Sequence, residues 1–313
     1  MSLSIPAYKE LNVRINTETA TIWVGMKPIG RQCFTLSMLM ELHELIYQLN
    51  EYGSLDPSNL DSIRYFVLES DHPDFYNLGG DLEYFSELVK QQDSERLKDY
   101  AIVCIDLLYW VLTGGKRQIT TFARVSGDAL GGGFETALSC HYIIAEKHVT
   151  FSFPESLFGF FPGMGGYALL ERYSGSLEAE RAFTTAKRYS AQELKLMGGV
   201  YSLVERGEST QEIEKIIASQ EKNQNPHRAL RLIKQNSQNI TYESLRYSID
   251  LWVDAAMMLN EKQLRMMAHL TRRQKKKGSV NTNINANKNN VQSVDTSLEA
   301  ISSSVSLKMI ARN

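Results

Sequence analysis

Hydrophobic and polar positions alternate with two different periods along the chain. Residues 11–26 form two short strand-like runs around Asn16-Thr17-Glu18-Thr19, a hairpin signal. From 35 to 50, Leu36, Leu39, Met40, Leu42, Leu45, Ile46 and Leu49 recur at helical spacing. Residues 63–68 predict a strand, and 71–81 a loop rich in His, Pro, Asn and Gly. A helix is expected over about 91–112 and a strand over 118–125. A glycine turn then opens the next helix, and a strand over 149–153 stops at Pro154.

Strands therefore alternate with helices to about residue 205, which predicts an α/β core. Beyond Glu208 the pattern is helical throughout, with 213–219, 228–235 and 242–270 as examples. Three regions follow: a core at 1–205 that holds the site, a helical segment at 206–277, and a tail at 278–313. The helical segment is expected to pack on the core or on a neighbouring subunit. The tail is rich in Asn, Ser and Thr. It buries too little apolar surface to offset its ordering entropy, so a mobile tail is expected, with 298–309 as a transient helix.

Composition narrows the class. A chain of 313 residues with 43% hydrophobic and 22% charged content is ordinary for a soluble protein with a large core. A net charge of −2 supplies no global field to draw nucleic acid or membrane. No apolar run approaches the roughly 18 residues of a membrane span. Residues 1–9 lack the basic-then-apolar order of a signal peptide, so a cytoplasmic location is expected. Cys33, Cys104 and Cys140 are odd in number and far apart, and they fit buried free thiols better than disulfides or a zinc site. Neither a metal nor a cofactor is expected.

Chemistry concentrates in Ser126-Gly127-Asp128-Ala129-Leu130-Gly131-Gly132-Gly133-Phe134-Glu135. Glycines permit positive φ and close approach. Free N–H groups at a helix start suit an oxyanion. Glu135 falls in the first helical turn, where a carboxylate is also favoured for stability alone. The run is not G-x-G-x-x-G, so dinucleotide binding is disfavoured. Taken alone, a purely structural turn explains this stretch equally well. Twenty residues beyond Glu135, Phe153-Pro154-Glu155 adds a second carboxylate, followed by Pro162-Gly163-Met164-Gly165-Gly166. Upstream, Phe75-Tyr76-Asn77-Leu78-Gly79-Gly80-Asp81 is another glycine turn.

These three segments, in this order, resemble the crotonase (enoyl-CoA hydratase/isomerase) superfamily over about residues 12–270. Leu78 departs from the family pattern, which has a small residue there. The resemblance implies a spiral of ββα units with a C-terminal helical segment that mediates trimer formation. It implies an oxyanion hole made by the backbone N–H groups of Gly80 and Gly132. It places Glu135 and Glu155 at the two acid/base positions of the hydratases. Retention of both implies proton transfer at C2 and C3, not isomerisation or decarboxylation alone.

Four flanking segments sharpen the resemblance: 76–82, 135–141, 157–166, and 251–257 with Glu261-Lys262. Together they resemble the bacterial diffusible-signal-factor synthases. That branch implies a 3-hydroxyacyl chain on acyl carrier protein, with a CoA thioester as the alternative donor. It implies dehydration followed by thioester hydrolysis, which yields a free cis-2-unsaturated fatty acid for quorum sensing. Glu155 would take the C2 proton and Glu135 would protonate the departing C3 hydroxyl, so the two must start in different protonation states. A homotrimer or hexamer and a regulatory sensor protein are also implied. The rival expectations are an enoyl-CoA hydratase of fatty-acid degradation and a non-catalytic crotonase-like binding protein.

Met164, Trp252 and Leu270 are the candidates for an acyl pocket, with Met257, Met258, Met266 and Met267 behind them; core packing is the alternative for any one of these. His72 and His141 lie beside the motifs, without a partner Ser or Cys at hydrolase spacing. Asp81 is expected to order its turn or the helix that follows. The basic run Arg272-Arg273-Gln274-Lys275-Lys276-Lys277 reads first as a solvated helix end. An acidic carrier protein or CoA phosphates are the alternative there. Nucleic acid is disfavoured, since no aromatics interleave with the run.

Overall fold

The computed structural model describes residues 6–51, 63–238 and 240–276. The expected tail at 278–313, its suggested helix at 298–309, and Lys277 lie outside the described residues. The chain opens with the expected hairpin: β1 (Leu11–Asn16) pairs antiparallel with β2 (Thr21–Met26), Leu11 opposite Met26. Helix α1 (Leu36–Glu51) follows, with Leu39, Leu42, Leu45, Ile46 and Leu49 buried along one face.

A repeating unit then appears. Strand β3 (Tyr65–Ser70) leads to short β4 (Phe75–Asn77) and to helices α2 (Leu82–Gln91) and α3 (Ser94–Thr113). Strand β5 (Thr120–Val125) leads to β6 (Asp128–Leu130) and α4 (Gly132–Ser139). Strand β7 (Tyr142–Glu146) leads to β8 (Thr150–Ser152), a 3-10 turn (Pro154–Phe158), α5 (Gly166–Ser174) and α6 (Ser176–Thr185). Each unit thus sends a long strand to one sheet and a short strand to another before turning into helix. Next come β9 (Arg188–Ser190), α7 (Ala191–Leu196) and β10 (Ser202–Val204). The six-stranded sheet runs β1-β2-β3-β5-β7-β10, and the four-stranded sheet runs β4-β6-β8-β9. Both are mixed, with β1–β2 and β8–β9 the antiparallel pairs. The α/β expectation holds.

Side-chain alternation explains why the long strands sit deep. Phe66 and Leu68 of β3 face the main core, whereas Tyr65 and Val67 face a second cluster with Phe122 of β5. Ile213 and Ile217 of α8 (Ser209–Lys222) close that second face. Helices α9 (Gln224–Ser237), α10 (Tyr242–Met257) and α11 (Glu261–Lys276) complete the described residues. All three cysteines are buried and free, as expected. No helix among the described residues is long and apolar enough to cross a membrane.

The structure corrects two helix readings and adds strands β4, β6 and β7, which the sequence pattern does not show. Residues 82–113 form two helices, not one beginning near 91. Gln92 turns left-handed (φ 56°), and Asp93 caps α3 through its side chain. Residues 242–270 also divide, because the chain turns at 258–260 and the side chains of Asn260 and Gln263 cap α11 reciprocally. Strands β4 and β6 have three residues each, too few for a period to show. Strand β7 is buried at all five positions, so it has no alternation to read.

Candidate active site

The short strands deliver two glycine turns to one place. In the first, Gln32 and Phe34 hold the backbone from one side: Leu78 N–H donates to Gln32 O (2.8 Å) and Phe34 N–H to Gly79 O (2.8 Å). The trans peptide points its carbonyl and its N–H in opposite directions, so anchoring Gly79 O aims Gly80 N–H away from Phe34. Tyr100 Oη donates to Phe34 O (2.8 Å) and accepts from Asp81 N–H (3.0 Å), which fixes the next peptide. The Asp81 side chain accepts from the N–H groups of Glu83 and Tyr84, capping α2 as expected.

The second turn is built in the same way. Gly131 N–H donates to Ser152 O (2.9 Å), and Gly131 O accepts from Phe134 and Glu135 N–H (2.9 and 3.0 Å). Gly132 N–H therefore points out from the start of α4. Gly79 has φ 94°, and a Cβ there would lie 3.0 Å from Gly132 N, so the two turns touch and Gly79 must be glycine. Among the described residues neither Gly80 N–H nor Gly132 N–H has a recorded acceptor. Both residues line one cavity.

Glu135 and Glu155 line that cavity too. Glu135 is buried, and its Oε1 accepts from the N–H groups of Met164 (2.8 Å) and Gly166 (2.9 Å). Burial, and then the charge of Glu155, push its pKa up to about 8 against the pull of those two donors. Glu155 is half-buried on the 3-10 turn, and burial pushes its pKa up to about 7. Its Oε2 is buried without a protein partner. A Cβ on Gly131 (φ 53°) would lie 2.5 Å from Glu155 Oε1, so the glycine leaves this carboxylate its place beside the donor turn.

Apart from Asp81 and Tyr100, the remaining wall is apolar. Of the three pocket candidates, Met164 and Trp252 line the cavity, whereas Leu270 does not and packs against the main core from α11. The turn at 258–260 carries α11 away from the cavity, which is why Leu270 misses it. Met267 is fully buried in the core, and Met258 and Met266 are exposed. Trp252 stacks on Phe85 (centroids 4.8 Å apart) and meets Phe160 at 5.2 Å. Phe85, Tyr100, Cys104, Phe158, Phe160 and Ile249 also line the cavity, and sequence reasoning missed them. They come from α2, α3, the segment after β8, and α10, with no local motif to mark them. The cavity volume is about 60 Å³.

Helix α11 reaches the first turn from outside. Gln274 Nε2 donates to Gly80 O (3.0 Å) and Leu78 O (3.4 Å), and Lys275 pairs with Glu83 (2.6 Å). Arg31 holds Asp81 (2.8 Å) and Glu83. Part of the basic run is therefore a clasp on the first glycine turn. His141 lies outside the cavity wall, with Nδ1 against Thr121. Among the described residues no three His, Cys, Asp or Glu side chains cluster as a metal site.

A family model described as enoyl-CoA hydratase/isomerase matches residues 42–292. A stretch of 84 residues is 42% identical to the peroxisomal bifunctional enzyme of Danio rerio, covering 27% of this chain and 12% of that protein. The probable enoyl-CoA hydratase 2, mitochondrial, of Arabidopsis thaliana is 27% identical over 207 residues, 66% of this chain and 64% of that one. The chain thus spans less than two thirds of the length of either relative. The crystal structure of enoyl-CoA hydratase from Bacillus halodurans aligns with a TM-score of 0.71 at 19% identity, over 83% of this chain and 100% of that one. The architecture is the α/β crotonase fold with mixed sheets and C-terminal helices.

Proposed function

Since the chain belongs to the enoyl-CoA hydratase/isomerase family, we propose that it dehydrates a 3-hydroxyacyl thioester on acyl carrier protein and then hydrolyses the thioester. The product is a free cis-2-unsaturated fatty acid that serves as a diffusible quorum-sensing signal. One observation carries the reading: two raised carboxyls, Glu135 and Glu155, share a cavity with two outward N–H groups, Gly80 and Gly132.

The thioester oxygen accepts from Gly80 and Gly132 N–H, which stabilises the enolate; one such donor typically contributes about 2.7–4 kcal/mol to lowering the barrier. Glu155, the lower of the two pKa values, starts as carboxylate and takes the C2 proton. Glu135, the higher, starts protonated and gives its proton to the C3 hydroxyl, which leaves as water. The backbone donors occupy Glu135 Oε1, so Oε2 is the proton-bearing oxygen. After dehydration the states are exchanged, with Glu135 ionised and Glu155 neutral. Glu135 can then accept a proton from a water that attacks the carbonyl, and Glu155 can protonate the departing thiolate. The second half thereby restores the starting states, and the same hole holds the tetrahedral oxyanion.

The segments 76–82 and 251–257 support the signal-synthase branch, and α2 and α10 bring residues from their neighbourhoods, Phe85 and Trp252, into contact at the cavity wall. A homotrimer or hexamer and a regulatory sensor protein belong to the same proposal. The second reading is an enoyl-CoA hydratase, favoured by the name of the Arabidopsis relative. Presenting 3-hydroxydodecanoyl chains on carrier protein and on CoA, with free acid measured by mass spectrometry, separates the two. Release of free cis-2 acid supports the synthase; reversible hydration without release supports the hydratase.

A further inference from the structure

A second cavity, also of about 60 Å³, lies at the opposite end of α4 from the donor turn. His141, Arg172, Arg231 and Lys234 line it. The charged groups that act on the His141 ring are Arg231, Arg172 and Lys234, all cations. Around Arg172 stand the Tyr173 and Cys140 side chains, and around Arg231 those of Tyr142, Tyr65 and the cation Arg228. No carboxylate stands among any of these sets. Burial lowers the pKa of both guanidinium groups, as expected for cations removed from water without a counter-charge.

Part of this charge has a local explanation. Arg172 Nε donates to Leu169 O (3.2 Å), Nη1 to Gln238 Oε1 (2.9 Å), and Nη2 to Leu138 O at the carbonyl end of α4. Arg231 is less well met, with one bond from Nη2 to Gln118 O at 3.4 Å. Among the described residues the Lys234 ammonium has no hydrogen bond or ion pair, and its carbonyl accepts from Ser237 Oγ (2.9 Å). Thr121 N–H donates to His141 Nδ1 (3.0 Å), which places the ring proton on Nε2. The cavity therefore gathers N–H donors and positive charge, and half-buried charge of one sign is costly unless an opposite charge joins it.

We propose that this cavity binds a phosphate-type oxyanion, with Arg231 and Lys234 as the principal cations and His141 Nε2–H and Arg172 as further donors. The cavity is small and open on one side, so a compact anion reaches all four side chains. The occupant is inorganic phosphate or the terminal group of a phosphomonoester whose remainder lies outside. The site is separate from the thioester cavity and does not depend on the proposed reaction.

Calorimetric titration and thermal melting of the full chain test it, with inorganic phosphate and phenyl phosphate in separate arms against sodium chloride at equal ionic strength. Wild type is expected to bind one phosphate per chain and to melt higher than in chloride. Arg231→Gln with Lys234→Gln is expected to weaken binding at least tenfold. Without phosphate this variant should melt no lower than wild type, because like charges have been removed. Tighter binding of phenyl phosphate assigns an organic phosphate, and equal or weaker binding assigns the free ion. Lys234→Gln alone alters an exposed side chain, so it keeps the test open if Arg231→Gln fails to fold; at least threefold weakening is expected. Equal affinity in wild type and Lys234→Gln means an adventitious ion only and overturns the proposal, as does a melting shift no larger than that of chloride.

Discussion

At the residue scale, the proposed chemistry rests on two carboxyls, Glu135 and Glu155, held neutral more readily than usual by burial. Glu135→Gln keeps an acceptor for Met164 and Gly166 N–H yet removes the proton source, so dehydration should fall about 10²–10⁴-fold. Glu155→Gln should fall by a similar factor through loss of the base, and steady-state kinetics of each variant checks both. The rate should follow a bell with limbs near pH 7 and pH 8, apparent values that belong to the pair. Stability has its own sign. Both folded-state pKa values lie above the ordinary 4.5, so the folded chain holds more protons between about pH 4.5 and 8. Stability therefore falls as pH rises through that window. Glu135→Gln should melt higher than wild type at pH 8.5 and much the same at pH 4; a constant difference across pH would count against the buried-carboxyl picture. Sequence legibility was greatest at this scale. The glycine turns and both glutamates stand in contiguous motifs, because a backbone donor and its neighbouring carboxylate are fixed by a few consecutive residues.

At the scale of elements, the sequence was less informative, for physical reasons. Strands β4 and β6, three residues each, position both donor turns but are too short for a period. The aromatic wall draws Phe85, Phe160 and Trp252 from separate elements, and only packing brings them together. Leu270 shows the converse: in sequence its helical period from 242 runs on from that of Trp252, but the turn at 258–260 directs α11 elsewhere. Trp252→Ala opens the stacked wall and should shift preference toward longer acyl chains, read as the ratio of kcat/KM for twelve- and sixteen-carbon substrates. Helix α11 is the clasp on the first donor turn. Gln274→Leu keeps the side-chain bulk and removes the bonds to Gly80 O and Leu78 O. The expected result is a kcat about tenfold lower with little change in KM, about 1.4 kcal/mol and within the range of one hydrogen bond. Increased amide exchange over residues 76–82 should accompany it.

For the whole molecule, the ββα repetition places one sheet as support and the short-strand sheet as the frame of the site. Helix α9 has no buried residue, yet Leu230 and Ile233 stand exposed on it. An amphipathic helix with its apolar side uncovered fits the proposed oligomer, so Ile233→Glu should reduce the mass seen by light scattering if α9 forms the contact; an unchanged mass would place the contact elsewhere. The proposed conversion of a 3-hydroxyacyl carrier-protein thioester to free cis-2 acid is assayed with purified components. Purified chain is incubated with 3-hydroxydodecanoyl carrier protein, and products are identified by mass spectrometry with double-bond geometry assigned. Free cis-2-dodecenoic acid from wild type, and none from Glu135→Gln or Glu155→Gln, is the predicted result. Thioester-bound enoyl product without free acid, or free acid that persists in both variants, would contradict it.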